Sequence, residues 1–144
     1  MKKVLALSLL VLSGTACATD LSLSTGRDSV YKGTDVTTLT AGTSYSGFSV
    51  AASYSTVVNK YKAGALTVGK DFAVGPISVG PRVGVELLAT KASQDAKIVT
   101  GGIAAGYALS KSVSVVADVT RRFDLKQAEA FKGTVTTVGL KTTF

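Results

Sequence analysis

From Thr19 onward apolar and polar residues alternate with a period of two in segments of about ten residues, separated by turn residues. This is the pattern of half-buried β-strands, and no stretch of this region carries the 3.6-residue period of a helix. Eight segments are read: Asp20–Val30, Asp35–Ser46, Phe48–Val58, Lys62–Val74, Ile77–Thr90, Ile98–Leu109, Ser112–Phe123 and Thr134–Phe144. In the fifth, Ile77, Val79, Pro81, Val83, Val85 and Leu87 alternate with Ser78, Gly80, Arg82, Gly84 and Glu86. In the seventh, Val113, Val115, Ala117 and Val119 alternate with Ser114, Asp118, Thr120 and Arg122. One face is apolar, and the other is small or charged.

The connections alternate in character. Those after the second, fourth and sixth segments are tight (Gly47 with its neighbours, Gly75-Pro76, Ser110-Lys111). Those after the first, third, fifth and seventh are longer and more charged, among them Asn59-Lys60-Tyr61 and the stretch from Asp124 to Gly133. The fold this predicts is all-β, an eight-stranded antiparallel up-and-down transmembrane β-barrel with short turns at one end and longer loops at the other. An even strand count places both termini on the short-turn side, the periplasmic one in this reading.

Which face is inside is settled by its composition. The polar face is rich in Gly, Ala, Ser and Thr, which suits the narrow interior of a small barrel better than a water-facing surface. Tyr45, Phe48, Phe72, Tyr107 and Phe144 lie on the apolar face at the short-turn end, the placement of an aromatic girdle at a membrane interface. The expectation is lipid outside and the polar face within. A soluble exported barrel with an apolar binding cavity is the opposite arrangement, and it would place large rings at mid-strand.

Residues 1–18 break the pattern. Lys2 and Lys3 precede the apolar-rich run Val4–Leu12, and Ala16-Cys17-Ala18 supplies small residues at a cleavage site, the anatomy of a secretory signal peptide. Cleavage after Ala18 leaves 19–144 as the barrel and takes Lys2 and Lys3 from the formal +7, leaving +5. The rival reading, Cys17 as the lipid-modified first residue of a lipoprotein, is disfavoured by Gly14, where a large aliphatic residue is the rule.

The chain has no His and one Cys, which excludes imidazole-based catalysis, His metal ligands and a disulfide framework. No cofactor and no nucleic-acid partner is expected. Gly64 to Lys70 matches most of a phosphate-binding loop, but Asp71 follows where Ser or Thr is needed, and no helix begins there.

Here the sequence resembles the small eight-stranded outer-membrane barrels of Gram-negative bacteria, the OmpA transmembrane domain and the OmpX/Ail/Lom type. The most specific piece is the last segment, Val138-Gly139-Leu140-Lys141-Thr142-Thr143-Phe144. A terminal Phe144 with Val138 and Leu140 at alternate positions resembles the signal read by the barrel-assembly machinery, although Thr142 stands where the family often has an aromatic. The resemblance implies a place in the outer membrane and contact with its lipopolysaccharide. It also implies either a structural, surface-interacting barrel touching lipopolysaccharide, host cell or phage through four external loops, or a small pore. Enzymes on this fold that modify lipid A use a catalytic His, which is absent here.

Two sets of charges remain. Asp28, Asp71, Arg82, Glu86, Asp118, Arg122 and Lys141 all read as inward, and they are expected to pair as a network across the lumen, because buried unpaired charges are costly. Lys60, Lys62, Arg121, Lys126 and Lys132 lie at or near the long-loop end and are candidate contacts for lipopolysaccharide phosphates.

Overall fold

A computed structural model describes residues 20–90, 95–124 and 132–144. The expected signal segment and Lys126 lie outside the described residues. Eight strands follow one another: β1 (Asp20–Asp28), β2 (Thr34–Tyr45), β3 (Phe48–Val57), β4 (Tyr61–Lys70, continued after Asp71 by Phe72–Val74), β5 (Ile77–Thr90), β6 (Asp95–Ala108), β7 (Val113–Asp124) and β8 (Gly133–Thr143). Each pairs antiparallel with its sequence neighbours, and β1 pairs with β8, so the sheet closes on itself. Closure removes both sheet edges, leaving no row of unpaired backbone groups along a strand.

The turns follow from their residues. Ser46 and Gly47 have φ of 52° and 80°, the two positive values of a type I′ hairpin. Gly75, with φ 61°, opens the Gly75-Pro76 turn with the positive φ that a type II′ turn needs first. The break at Asp71 coincides with Pro81, which lies opposite Lys70 in the continuing register and has no N–H to give the ladder.

Three details differ from the sequence-based expectation. β1 stops at Asp28, and Ser29–Tyr31 form a 3-10 turn. β4 starts one residue earlier than expected, at Tyr61, which is therefore a strand residue and not part of a loop. That leaves only Val58, Asn59 and Lys60 between β3 and β4, fewer than the four residues 109–112 between β6 and β7, so loop length alone does not tell the two ends apart.

Side chains divide by face as the alternation dictates. Leu23, Val83, Ile103, Val138 and Leu140 are each more than half exposed on the outer wall. The interior is not uniform along its length. At the loop end it holds a compact apolar cluster of Val36, Val57, Tyr61, Ala63, Leu88 and Ile98. Towards the turn end it is lined by small and hydroxyl-bearing residues.

Candidate functional site

The loop end of the lumen is built around Arg122, 3% exposed, on β7. Its Nε and Nη2 donate to the two carboxylate oxygens of Glu86 on β5, each at 2.8 Å, a bidentate fork. Its Nη1 donates to Oδ2 of Asp28 at 2.6 Å, and its Nη2 also donates to the Tyr61 hydroxyl at 3.0 Å. The Tyr61 hydroxyl donates in turn to Asp28 Oδ2 at 2.6 Å, and the guanidinium lies 5.1 Å from the Tyr61 ring centre. β6, which separates β5 from β7, presents Thr100 opposite Arg122, a side chain small enough for the guanidinium to reach across.

Local structure fixes Asp28. Its Oδ1 accepts from the Val30 N–H at 2.9 Å and caps the 3-10 turn, while Gly33 N–H returns to the Asp28 carbonyl at 2.9 Å. Lys32 and Gly33, with φ of 56° and 73°, turn the chain back into β2. A fully buried carboxylate thus has a guanidinium, a phenol and a backbone amide as donors, the satisfaction that burial requires. The cluster holds two carboxylates and one guanidinium, a formal excess of one negative charge.

Below it the remaining inward charges are looser. Arg82 pairs with Asp71, and its Nη1 donates to the Pro81 carbonyl. Lys141 lies 3.9 Å from Asp20, whose carboxylate also accepts from Ser44 at 3.1 Å and Thr143 at 2.7 Å. Asp118 departs from the expected network: it has no ion pair among the described residues and accepts a hydrogen bond from the Thr120 hydroxyl on its own strand. Its neighbour in the lumen, Arg82, is already engaged by Asp71. The seven inward charges therefore divide into one buried cluster (Asp28, Glu86 and Arg122), the pair Arg82–Asp71, Lys141 beside Asp20, and Asp118 apart from them, and do not form one network.

Between these layers lies a cavity of about 240 Å³, lined by hydroxyls such as Ser24, Thr40, Ser53, Thr67 and Thr137 and floored by Glu86 and Arg122. Its lining reaches Asp20, Ser44 and Lys141 at the turn end, whereas the apolar cluster closes the loop end. No group of three or more His, Cys, Asp or Glu is placed to hold a metal ion among the described residues.

On the outer wall, Tyr45, Phe48, Phe72, Tyr107 and Phe144 are all exposed at the turn end. Val138 and Leu140 face outward on β8. Lys60, Lys62, Arg121 and Lys132 are exposed at the loop end, and Arg121 sits 5.7 Å from the Phe123 ring centre. Sequence reasoning missed Tyr61, Asp20 and the apolar cap. The signal was present in phase: Tyr61 keeps step with Ala63, Ala65, Thr67 and Gly69, and Val36 with Thr38, Thr40 and Gly42.

No protein-family model matches the chain, and no curated protein matches it. Solved structures do. The N-terminal β-barrel domain of Pseudomonas aeruginosa OprF is 12% identical, with a TM-score of 0.73 over 87% of this chain and 96% of that one. Neisserial surface protein A (NspA) is 14% identical, with a TM-score of 0.58 over 87% of this chain and 95% of that one. The Yersinia pestis outer membrane protein Ail is 13% identical, with a TM-score of 0.56 over 88% of this chain and 99% of that one. At such identities the likeness shows the fold alone: a closed, eight-stranded antiparallel barrel.

Proposed function

We propose that the protein is a non-enzymatic barrel of the outer membrane, closed to conduction, with a structural or surface-interaction role. Its termini face the periplasm, and four loops face outward. The observation that carries this reading is the sealed loop end, where Asp28, Val36 and Leu88 are fully buried and lock the lumen beneath the loops. The outer wall supports a membrane setting: a soluble barrel would bury Leu23, Val83 and Leu140, which here stand exposed.

In this reading Lys60, Lys62, Arg121, Lys126 and Lys132 meet lipopolysaccharide phosphates, host cell or phage. The terminal pattern of Val138, Leu140 and Phe144 addresses the chain to the barrel-assembly machinery. A second reading, a small pore, is favoured by the hydroxyl-lined cavity. Planar-bilayer recording of the refolded protein separates the two: a closed barrel gives no steady unitary current, and reproducible steps would establish the pore. A heat-modifiability gel on the same sample reports whether the barrel has folded.

A further inference from the structure

The charges of the outer wall are unevenly placed. Among the described residues, the outward-facing charged positions Arg27, Asp35, Lys62, Lys97 and Arg121 all sit in the loop-end part of their strands. In the turn-end half the one outward charge on a strand is Lys70, near the end of β4. Phe48 on β3 is its cross-strand partner, and Phe72 stands two residues along on the same face. The Lys70 ammonium lies 5.0 Å from the Phe48 ring centre and 5.5 Å from that of Phe72. It has no ion-pair partner among the described residues.

A lone ammonium on a lipid-facing wall is expensive unless it reaches an anion at the interface. Phe48 and Phe72 belong to the aromatic set expected at that interface, so the bracket holds the charge beside it. Cation–π contact with two rings restrains the side chain but leaves its three N–H donors free to point outward. The anionic group that every phospholipid presents at this depth is its headgroup phosphate.

We propose that Lys70, bracketed by Phe48 and Phe72, is a binding site for the phosphate of a phospholipid in the turn-side leaflet. The acyl chains then run up the apolar wall along Val68 and Leu66, which continue the outward face of β4. The site rests on the membrane-barrel reading above, but not on its closed lumen or its loop contacts.

The test is native mass spectrometry of the refolded full-length protein. It is released from detergent doped with phosphatidylglycerol or, in a parallel arm, with a phosphate-free galactosyl diacylglycerol. The parent is expected to retain one phosphatidylglycerol, with about tenfold less retained by Lys70→Gln, the loss expected for one charge-assisted bond. Lys70→Arg keeps the lipid, as does Lys97→Gln, which removes an outward charge at the loop end of β6. Phe48→Leu combined with Phe72→Leu weakens retention while leaving the lysine in place. Equal retention by Lys70→Gln and the parent overturns the site, as does equal retention of the phosphate-free lipid. A cross-link from Lys70 to a second copy in place of a retained lipid overturns it too. A heat-modifiability shift in each variant shows that the barrel has folded: folded protein without lipid sinks this site alone, whereas a parent that never folds in detergent sinks the membrane reading with it.

Discussion

At the scale of single residues, Arg122 is where chain-distant elements meet. It joins β7 to Glu86 on β5, to Asp28 at the end of β1 and to Tyr61 at the start of β4. Replacing it with Met strands two buried carboxylates, and the expected loss is about 3–5 kcal/mol, read from urea unfolding in lipid vesicles. Glu86→Gln is different. It leaves one guanidinium facing one carboxylate and removes the excess negative charge, so about 1 kcal/mol is the expected loss. Equal losses for the two variants would show that the charge balance of the cluster is immaterial. Three of the four members of this cluster were legible in the sequence, since Asp28, Glu86 and Arg122 share the inward phase of their strands. Tyr61 was not, because a residue at a strand end beside Asn59-Lys60 looks like loop until its phase with Ala63 is traced. Asp118 shows the opposite failure: its inward phase was legible, but phase does not report distance, and Arg82 is engaged by Asp71 instead.

Strands and turns add a constraint that residue chemistry alone does not reveal. The barrel is narrow, and glycines occupy inward positions where strands crowd. A Cβ built on Gly80 would lie 1.8 Å from the Lys70 carbonyl oxygen, and one on Gly26 the same distance from that of Thr136. Both neighbours are backbone, so the strand itself must move. Gly80→Ala is therefore expected to destabilise by about 1–3 kcal/mol or to lower the refolded fraction, while Gly75→Asn meets no neighbouring atom and loses stability only through the positive φ of 61° that a side chain rarely adopts. The gel shift between folded and boiled samples measures both. At the Ser46-Gly47 turn the direction reverses. Asn accepts positive φ more readily than Ser, so Ser46→Asn should stabilise the hairpin by a few tenths of a kcal/mol. The succession of eight strands was legible because period-two alternation runs through each of them, although the ends of β1 and β4 were not. The interruption at Asp71 was hidden, because it arises from Pro81 on the facing strand.

For the whole molecule, the decisive feature is the separation of charge between wall and lumen. Among the described residues, the outer wall, turns and loops carry most of the Lys and Arg, whereas the lumen holds Asp20, Asp28, Asp71, Glu86 and Asp118 against Arg82, Arg122 and Lys141. A basic chain thus encloses an acidic interior. The cavity is already polar up to Glu86 and Arg122, so the apolar residues Leu88 and Ile98, both essentially buried, are what separate it from the loops. The cap escaped the sequence because the inward positions change from polar to apolar near the loop end, and at Leu87-Leu88 and Ile98-Val99 residue type no longer marks the inner face although phase still does. Replacing Leu88 and Ile98 together with Ser should admit water past the cap while leaving the Arg122 cluster intact. Such a variant, shown to be folded by its gel shift, is expected to pass small currents that the parent lacks. The carboxylate excess predicts that these currents favour cations, since like-signed lumen charge raises the barrier to anions. The reversal potential across a KCl gradient gives the sign: a shift towards the cation equilibrium value supports an acidic lumen gated by its apolar cap. An anion-selective current, or none from a folded variant, would place the barrier or the charge elsewhere in the barrel.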